Sequence, residues 1–265
     1  MQTLAEIINV LETFAPLDLQ EDYDNSGLVY GNPEKQINTT LIALDLTQAV
    51  LEEAIAQNAG LIIVHHPPIF KAIKKLVFTD AITMLLIKAI KEDIAIYACH
   101  TNLDNVLLGV NGEIANRLGL EKIQVLQPKN EGNPNKQIGA GVIGNLANPI
   151  GEVDFLNSVK RIFHTGIIRH STFTGKTIQR VAICGGSGKS LIHNALNQNS
   201  DVYLTADLGY HDFFIPEKSM LLADIGHYES EQFTSDRLVA ILNEKFPNFA
   251  VLKSGVNTNP VNYFL

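Results

Sequence analysis

Apolar positions along the chain switch between two periods. Residues 38–47, NTTLIALDLT, form a β-rich run. Residues 61–66, LIIVHH, open with four consecutive aliphatics, as expected of a short strand buried on both faces. Between them, TQAVLEEAIAQNA (47–59) has helical spacing, with Thr47 placed as its cap. The order continues with a helix over 80–93, a strand within IAIYACHTNLD (94–104) and a helix over 105–120. This β-α-β-α-β-α grammar predicts an α/β layer with parallel neighbouring strands. The leading MQTLAEIINVLETFAP reads as an amphipathic helix with Ile7, Ile8 and Leu11 on one side, and not as a signal peptide.

The polar stretch QPKNEGNPNKQ (127–137), rich in Asn, Gly and Pro, marks a boundary between a first part, 1–127, and a second, 128–265. Beyond it a helix is expected near 151–162. RVAICGGSGKSLIHNALNQNSDVYLTADLGYHD then runs strand, helix, strand and polar motif, matching LIALDLTQAVLEEAIAQNAGLIIVHHPPIF in order and spacing. A strand within 219–231 ends in a histidine and leads to a helix over 233–246, as IAIYACHTNLD leads to its own helix. The expected fold class is therefore α/β: two related halves, each a sheet flanked by helices, from an internal duplication. The last strand is expected to pack back on the first half.

Composition narrows the function. Over 265 residues the formal net charge is −8, so no basic footprint exists for tracking a nucleic-acid backbone. No apolar run reaches membrane-spanning length. The two cysteines, Cys99 and Cys184, each end an apolar run and read as buried thiols of a reducing compartment. A cytoplasmic protein is expected.

In open α/β sheets, ligands bind beyond the carboxyl ends of the strands. His65 and His66, then His100 and Asp104, then His227 and Glu231 follow three such ends. Side chains of adjacent strand residues point to opposite faces, so His65 and His66 can share a cavity only where the strand stops. Pro67 and Pro68 then stiffen the exit. His227 and Glu231, four apart on a predicted helix, share a face. A lone histidine at a strand end is more often a hydrogen-bonded turn residue, and His-x-x-x-Glu is often a solvated pair. Together, three imidazoles and two carboxylates (His65, His66, Asp104, His227, Glu231) exceed one closed tetrahedral site and suit two divalent ions with positions left for water. Zinc, iron and manganese all fit such donors.

Several further residues carry an open choice. His100 and His211 are candidates to move protons, or else are ordinary buried and turn histidines. Asp24, Asn25 and Asp207 are candidates to line a substrate cavity, although Asp-Asn-Ser-Gly is also a turn composition. ICGGSGKSL (183–191) fails the P-loop pattern at Ile183. A glycine turn entering a helix can still bind an anion, with Ser187 and Lys189 as candidate partners, but a tight strand-to-helix turn is the favoured reading.

HHPPIF, HTNLD followed by GVNGEIANRLGL, and GHYESE resemble the three signatures of the Nif-three-like family of dinuclear metal-centre proteins. Bacterial members are labelled GTP cyclohydrolase I type 2 homologues. DNSGLVYGN (24–32) resembles the family's N-terminal motif, and the likeness runs from about residue 20 to the C-terminus. The resemblance implies two related α/β halves, a toroidal homohexamer, and two metal ions on His65, His66, Asp104, His227 and Glu231. It implies hydrolytic chemistry, with activated water opening the guanine ring of GTP. A metal-dependent phosphohydrolase and a non-catalytic hexameric scaffold or metal-handling protein are the alternatives. The chain looks like the short form of the family, without an inserted domain. It departs from the family at Ala206, where a glycine is frequent, which bears on the backbone near Asp207.

Overall fold

The computed structural model describes residues 1–78, 80–129 and 137–264. Most of the polar boundary stretch, residues 130–136, lies outside the described residues. In chain order the elements are β1 (Gln2–Thr3), α1 (Leu4–Phe14), β2 (Gly27–Tyr30), β3 (Gln36–Ile37), β4 (Thr39–Ala43), α2 (Gln48–Ala56), β5 (Leu61–Val64), α3 (Ala81–Lys91), β6 (Ala95–Ala98), α4 (Thr101–Asp104) and α5 (Val110–Arg117). They continue with β7 (Glu121–Pro128), β8 (Gly139–Gly151), α6 (Glu152–Ile162), β9 (Arg169–His170), β10 (Thr177–Ser187), α7 (Ile192–Asn197), β11 (Val202–Ala206), β12 (Leu221–Asp224), α8 (His227–Glu231), α9 (Thr234–Lys245) and β13 (Ala250–Lys253).

Two compact units form. One comprises Met1–Leu103 with Thr234–Pro260, the other Asp104–Phe233 with Val261–Leu265. Their breaks fall at 103/104, 233/234 and 260/261, whereas the sequence divides its halves at 127/128. The break at 233/234 follows from strand pairing: β13 pairs in parallel with β4, so the chain returns α9 and β13 to the first sheet.

The first unit holds a five-stranded sheet in the order β13-β4-β5-β6-β2. Its first four strands are parallel and β2 is antiparallel. All four residues of β5 and of β6 are buried, which explains their unbroken apolar runs. Leu41, Ile62, Val64 and Ile96 meet Val50, Leu51 and Ala54 of α2 and Leu85, Leu86 and Ala89 of α3 in one core. Thr47 caps α2 by accepting from the Val50 amide at 3.2 Å. A capping box holds α1, where Thr3 Oγ1 accepts from Glu6 N and the Glu6 carboxylate from Thr3 N.

The second unit holds a six-stranded sheet in the order β7-β8-β10-β11-β12-β9. Here too three successive strands, β10, β11 and β12, run parallel, and an antiparallel strand, β9, follows the third. The likeness stops at the other edge: parallel β13 borders β4, whereas antiparallel β8 borders β10. Ile143, Ala182, Tyr203 and Leu222 pack against Ile192 and Ala195 of α7. No helix among the described residues is long and apolar enough to cross a membrane.

Candidate metal centre

In the first unit the chemistry begins where β5 ends. The amides of His65 and His66 both donate to the Leu44 carbonyl, at 3.1 and 3.0 Å. Two successive amides on one acceptor break the alternation of a strand, so neighbouring side chains come to the same side. The two imidazoles stand 4.9 Å apart, centroid to centroid. His100, just past β6, joins them at 5.2 Å from His65 and 5.5 Å from His66. The three rings offer nitrogens that all lie within 4.8 Å of one another.

Each ring is held from behind. His65 Nδ1 donates to the Cys99 carbonyl at 2.8 Å, inside a fully buried setting. His66 Nδ1 donates to Asp45 Oδ1 at 2.7 Å, and His100 Nδ1 to Asp24 Oδ1 at 2.8 Å. A proton fixed on Nδ1 makes Nε2 the lone-pair nitrogen of a neutral ring, the state a metal ligand requires. Burial works against the Asp24 charge, yet hydrogen bonds from His100 and Thr101 hold its carboxyl well below the usual range. Asp45 is likewise lowered against burial, by His66 and Thr258. Asn25 Nδ2 donates to the Ile69 carbonyl at 2.6 Å, tying the Asp-Asn-Ser-Gly turn to the stiff exit after Pro67-Pro68.

In the second unit β12 leads through Gly226, at φ +94°, into the short helix α8. His227 Nε2 lies 3.1 Å from Glu231 Oε2, and His227 Nδ1 lies 2.7 Å from Asp207 Oδ2. Hydrogen bonding to Glu231 comes first in raising the His227 pKa to about 9; Asp207 adds to it and partial burial opposes. Asp207 itself sits at φ +57°, a left-handed conformation that Asp tolerates, directly after Ala206. The buried Glu231 carboxylate occupies space that only a glycine leaves: a Cβ on Gly186 would stand 2.2 Å from Glu231 Oε1 and 3.3 Å from His227 Cε1. The Cys184 thiol is pushed up to about 12, by burial first and then by the Asp104 and Glu231 carboxylates. Asn111 holds this corner, donating to the Asp104 carbonyl at 3.1 Å and accepting from Gly185 N at 2.9 Å.

The other sequence candidates have clear positions. Asp24 and Asp207 each orient a histidine. His211 is exposed on the turn Tyr210–Phe214, against the rings of Tyr210 and Phe214. Ser187 is exposed at the end of β10, and Lys189 pairs with Asp212 at 2.9 Å. The amides of Gly185, Gly186 and Gly188 donate to Asn111, Ser230 and Thr205. A Cβ on Gly188 would stand 2.3 Å from Thr205 Oγ1. The glycines of this turn serve close packing, and these three amides are engaged within the chain. Both cysteines are free thiols; Cys99 is buried as expected, whereas Cys184 keeps some residue exposure although its thiol is enclosed. Sequence reasoning missed Asp45, although it is the first charged residue after the apolar run of β4. It also missed Gly186, Asn111 and Thr258.

The donor set therefore fits a metal. Four imidazoles have Nδ1 committed to oxygen, three of these oxygens belonging to carboxylates, and His/Glu clusters that could hold an ion are present. The family model described as Duf34/NIF3 (NGG1p interacting factor 3) matches residues 2–260. The chain belongs to the Duf34/NIF3 family. Among its relatives in that family, a GTP cyclohydrolase 1 type 2 homolog of Streptococcus pneumoniae serotype 4 is 36% identical over 268 residues, covering 98% of each chain. The crystal structure of a Staphylococcus aureus hypothetical protein, SA1388, matches with a TM-score of 0.91 at 29% identity, covering 99% of each chain. A Bacillus cereus protein related to NIF3 matches at a TM-score of 0.89 and 25% identity, covering all of this chain and 99% of that one. The α/β architecture, with its five- and six-stranded sheets, is thus that of the NIF3 structures.

Proposed function

We propose that this Duf34/NIF3 chain is a cytoplasmic, metal-dependent hydrolase, its two divalent ions (zinc, iron or manganese) held by His65, His66, Asp104, His227 and Glu231. The observation that carries the reading is the fixing of Nδ1, which leaves Nε2 to ligate on His65 and His66, and on His227 once an ion displaces the proton it shares with Glu231. Bound ions would supply Lewis acidity, lowering the pKa of a water toward ~7 and polarising the bond under attack. The chain's own residues do the rest. His65, His66 and His227 are prevented from rotating by Cys99, Asp45 and Asp207. His100, backed by the ionised Asp24, accepts and returns a proton beside the site, as general acid–base chemistry requires. His211, exposed, is a second candidate for that transfer. Asn25, Ser187 and Lys189 are assigned to the substrate-facing surface. GTP is the proposed substrate, on the strength of the relatives' name, with water adding at C8 of the guanine ring.

The test is metal content per chain by elemental mass spectrometry on protein purified without added metal or chelator, followed by incubation with GTP. About two ions per chain, lost in His65→Ala/His66→Ala, with a ring-opened formamidopyrimidine product, are expected. Phosphate release with the ring intact would shift the assignment to a phosphohydrolase. Metal without turnover across nucleotides and phosphoesters would favour a scaffold. No metal, and none taken up from added zinc, manganese or iron, would overturn the reading.

A further inference from the structure

We infer that the C-terminal segment Ser254–Thr258 is a strap that positions the metal centre, and that Thr258 acts on a bound ion through Asp45 and His66. The inference rests on the metal-binding reading above.

The links are all in the first unit. β13 lies in register beside β4, Lys253 opposite Ile42, and Ser254 N extends the pairing by donating to the Ile42 carbonyl at 2.8 Å. The chain thus leaves the sheet at the same end as Asp45. It is then fastened twice to α2: Ser254 Oγ donates to the Glu53 carboxylate, and Gly255 N donates to Glu53 Oε1 at 3.0 Å. Val256 packs against the hydrophobic core beside it. Anchored in this way, the strap delivers Thr258 Oγ1 to Asp45 Oδ2 at 2.5 Å, while Asp45 Oδ1 accepts from His66 Nδ1 at 2.7 Å.

Both oxygens of one carboxylate are therefore spoken for, one by the ligand histidine and one by the strap. A carboxylate free to rotate would hold His66 Nδ1 in several geometries. With Thr258 on its second oxygen, a single orientation of the imidazole remains. Partners that orient a ligating histidine typically change metal affinity by about 10- to 100-fold when removed. Asp24 differs from Asp45 in this respect: its supports, Ser26 and Thr101, are local to the motifs that carry His100. The His66 arm, by contrast, draws on Thr258, 213 positions from Asp45.

The experiment compares wild type, Thr258→Val, Thr258→Ser, Asp45→Asn and Asp45→Asn/Thr258→Val in the full chain. Each is stripped, then titrated with zinc and with cobalt against a chromophoric chelator. Unfolding midpoints of the stripped proteins are measured alongside. The expected result is about a tenfold weaker affinity in Thr258→Val, recovery in Thr258→Ser, and no further loss when Thr258→Val is added to Asp45→Asn. Wild-type affinity in Thr258→Val would overturn the inference while leaving the metal reading intact. A stripped-protein midpoint that falls with affinity unchanged would do the same, by reducing Thr258 to a structural contact. Additive losses in the double variant would remove the route through Asp45. Absence of uptake by the wild type would sink both readings together.

Discussion

The most informative single residue is His227, because its charge opposes the role assigned to it. Glu231 and Asp207 hold its pKa near 9, above the 6.5 of a free imidazole. In the metal-free protein the folded state binds this proton more tightly than the unfolded chain does. The resulting stabilisation is complete below pH 6.5 and is lost as pH rises through about 9. An incoming ion has to displace the same proton. Zinc affinity should therefore rise about tenfold per pH unit toward pH 9 and then level off, with a proton released on binding. Calorimetry in buffers of differing ionisation enthalpy measures that proton, and an affinity flat between pH 6.5 and 9 would refute the assignment. Asp207→Asn should move the levelling-off to lower pH. Gly186→Ala tests the other partner. It forces a Cβ onto Glu231 Oε1 at a backbone φ of +59°, so unfolding free energy should fall by about 1–2 kcal/mol and zinc affinity should drop with it. At this scale the histidines were legible because adjacent imidazoles before Pro-Pro are hard to explain as a plain strand. Gly186 was not, since a glycine's purpose lies in what its missing Cβ makes room for.

At the scale of elements, β5 matters most. It is the central strand of the first sheet, and its end carries both His65 and His66. Ile62 is fully buried in the core shared with α2 and α3. Ile62→Ala should cost about 2–5 kcal/mol of stability in denaturant titration, through lost burial and the cavity left behind. Zinc affinity should also weaken, because the strand end is what aims the two rings. Unchanged stability would mean that the core collapses around the gap. The strands and helices from 38 to 120 were readable because parallel, doubly covered strands leave continuous apolar runs, and helices leave a 3.6 period. The run 105–120 is instead a turn followed by α5, Val110–Arg117, since the Asn105 carbonyl accepts from Gly139 N and Gly109 N closes a turn on the Val106 carbonyl before the helix begins. The long antiparallel β8 was harder to see, because its glycines and Pro149 mask the alternation that marks a strand. The return of the last strand to the first half was expected from the sequence, but not its parallel pairing with β4, because strand partners distant in sequence are chosen by edge and register.

For the whole molecule, charge and self-association have to be considered together. The proposed homohexamer would gather six chains of formal charge −8. Like charge of that size opposes assembly, and the opposition is screened over about 8 Å at physiological ionic strength. Two divalent ions per chain would halve the formal charge, because the assigned ligands include carboxylates that remain ionised when bound. Assembly should therefore strengthen with salt and with metal. Apolar contact surface is available: Tyr210 and Phe214 are 74% and 61% exposed, and Phe78 is 68% exposed. Sedimentation velocity at micromolar concentration should show a mass near six chains in about 0.15 M salt with zinc present. A measurable shift toward smaller species is expected after chelation at about 0.01 M salt, where screening reaches ~30 Å. A monomer under both conditions would refute the hexamer. A hexamer indifferent to salt and chelator would separate assembly from the metal centre, leaving apolar contact as the force that holds the chains together.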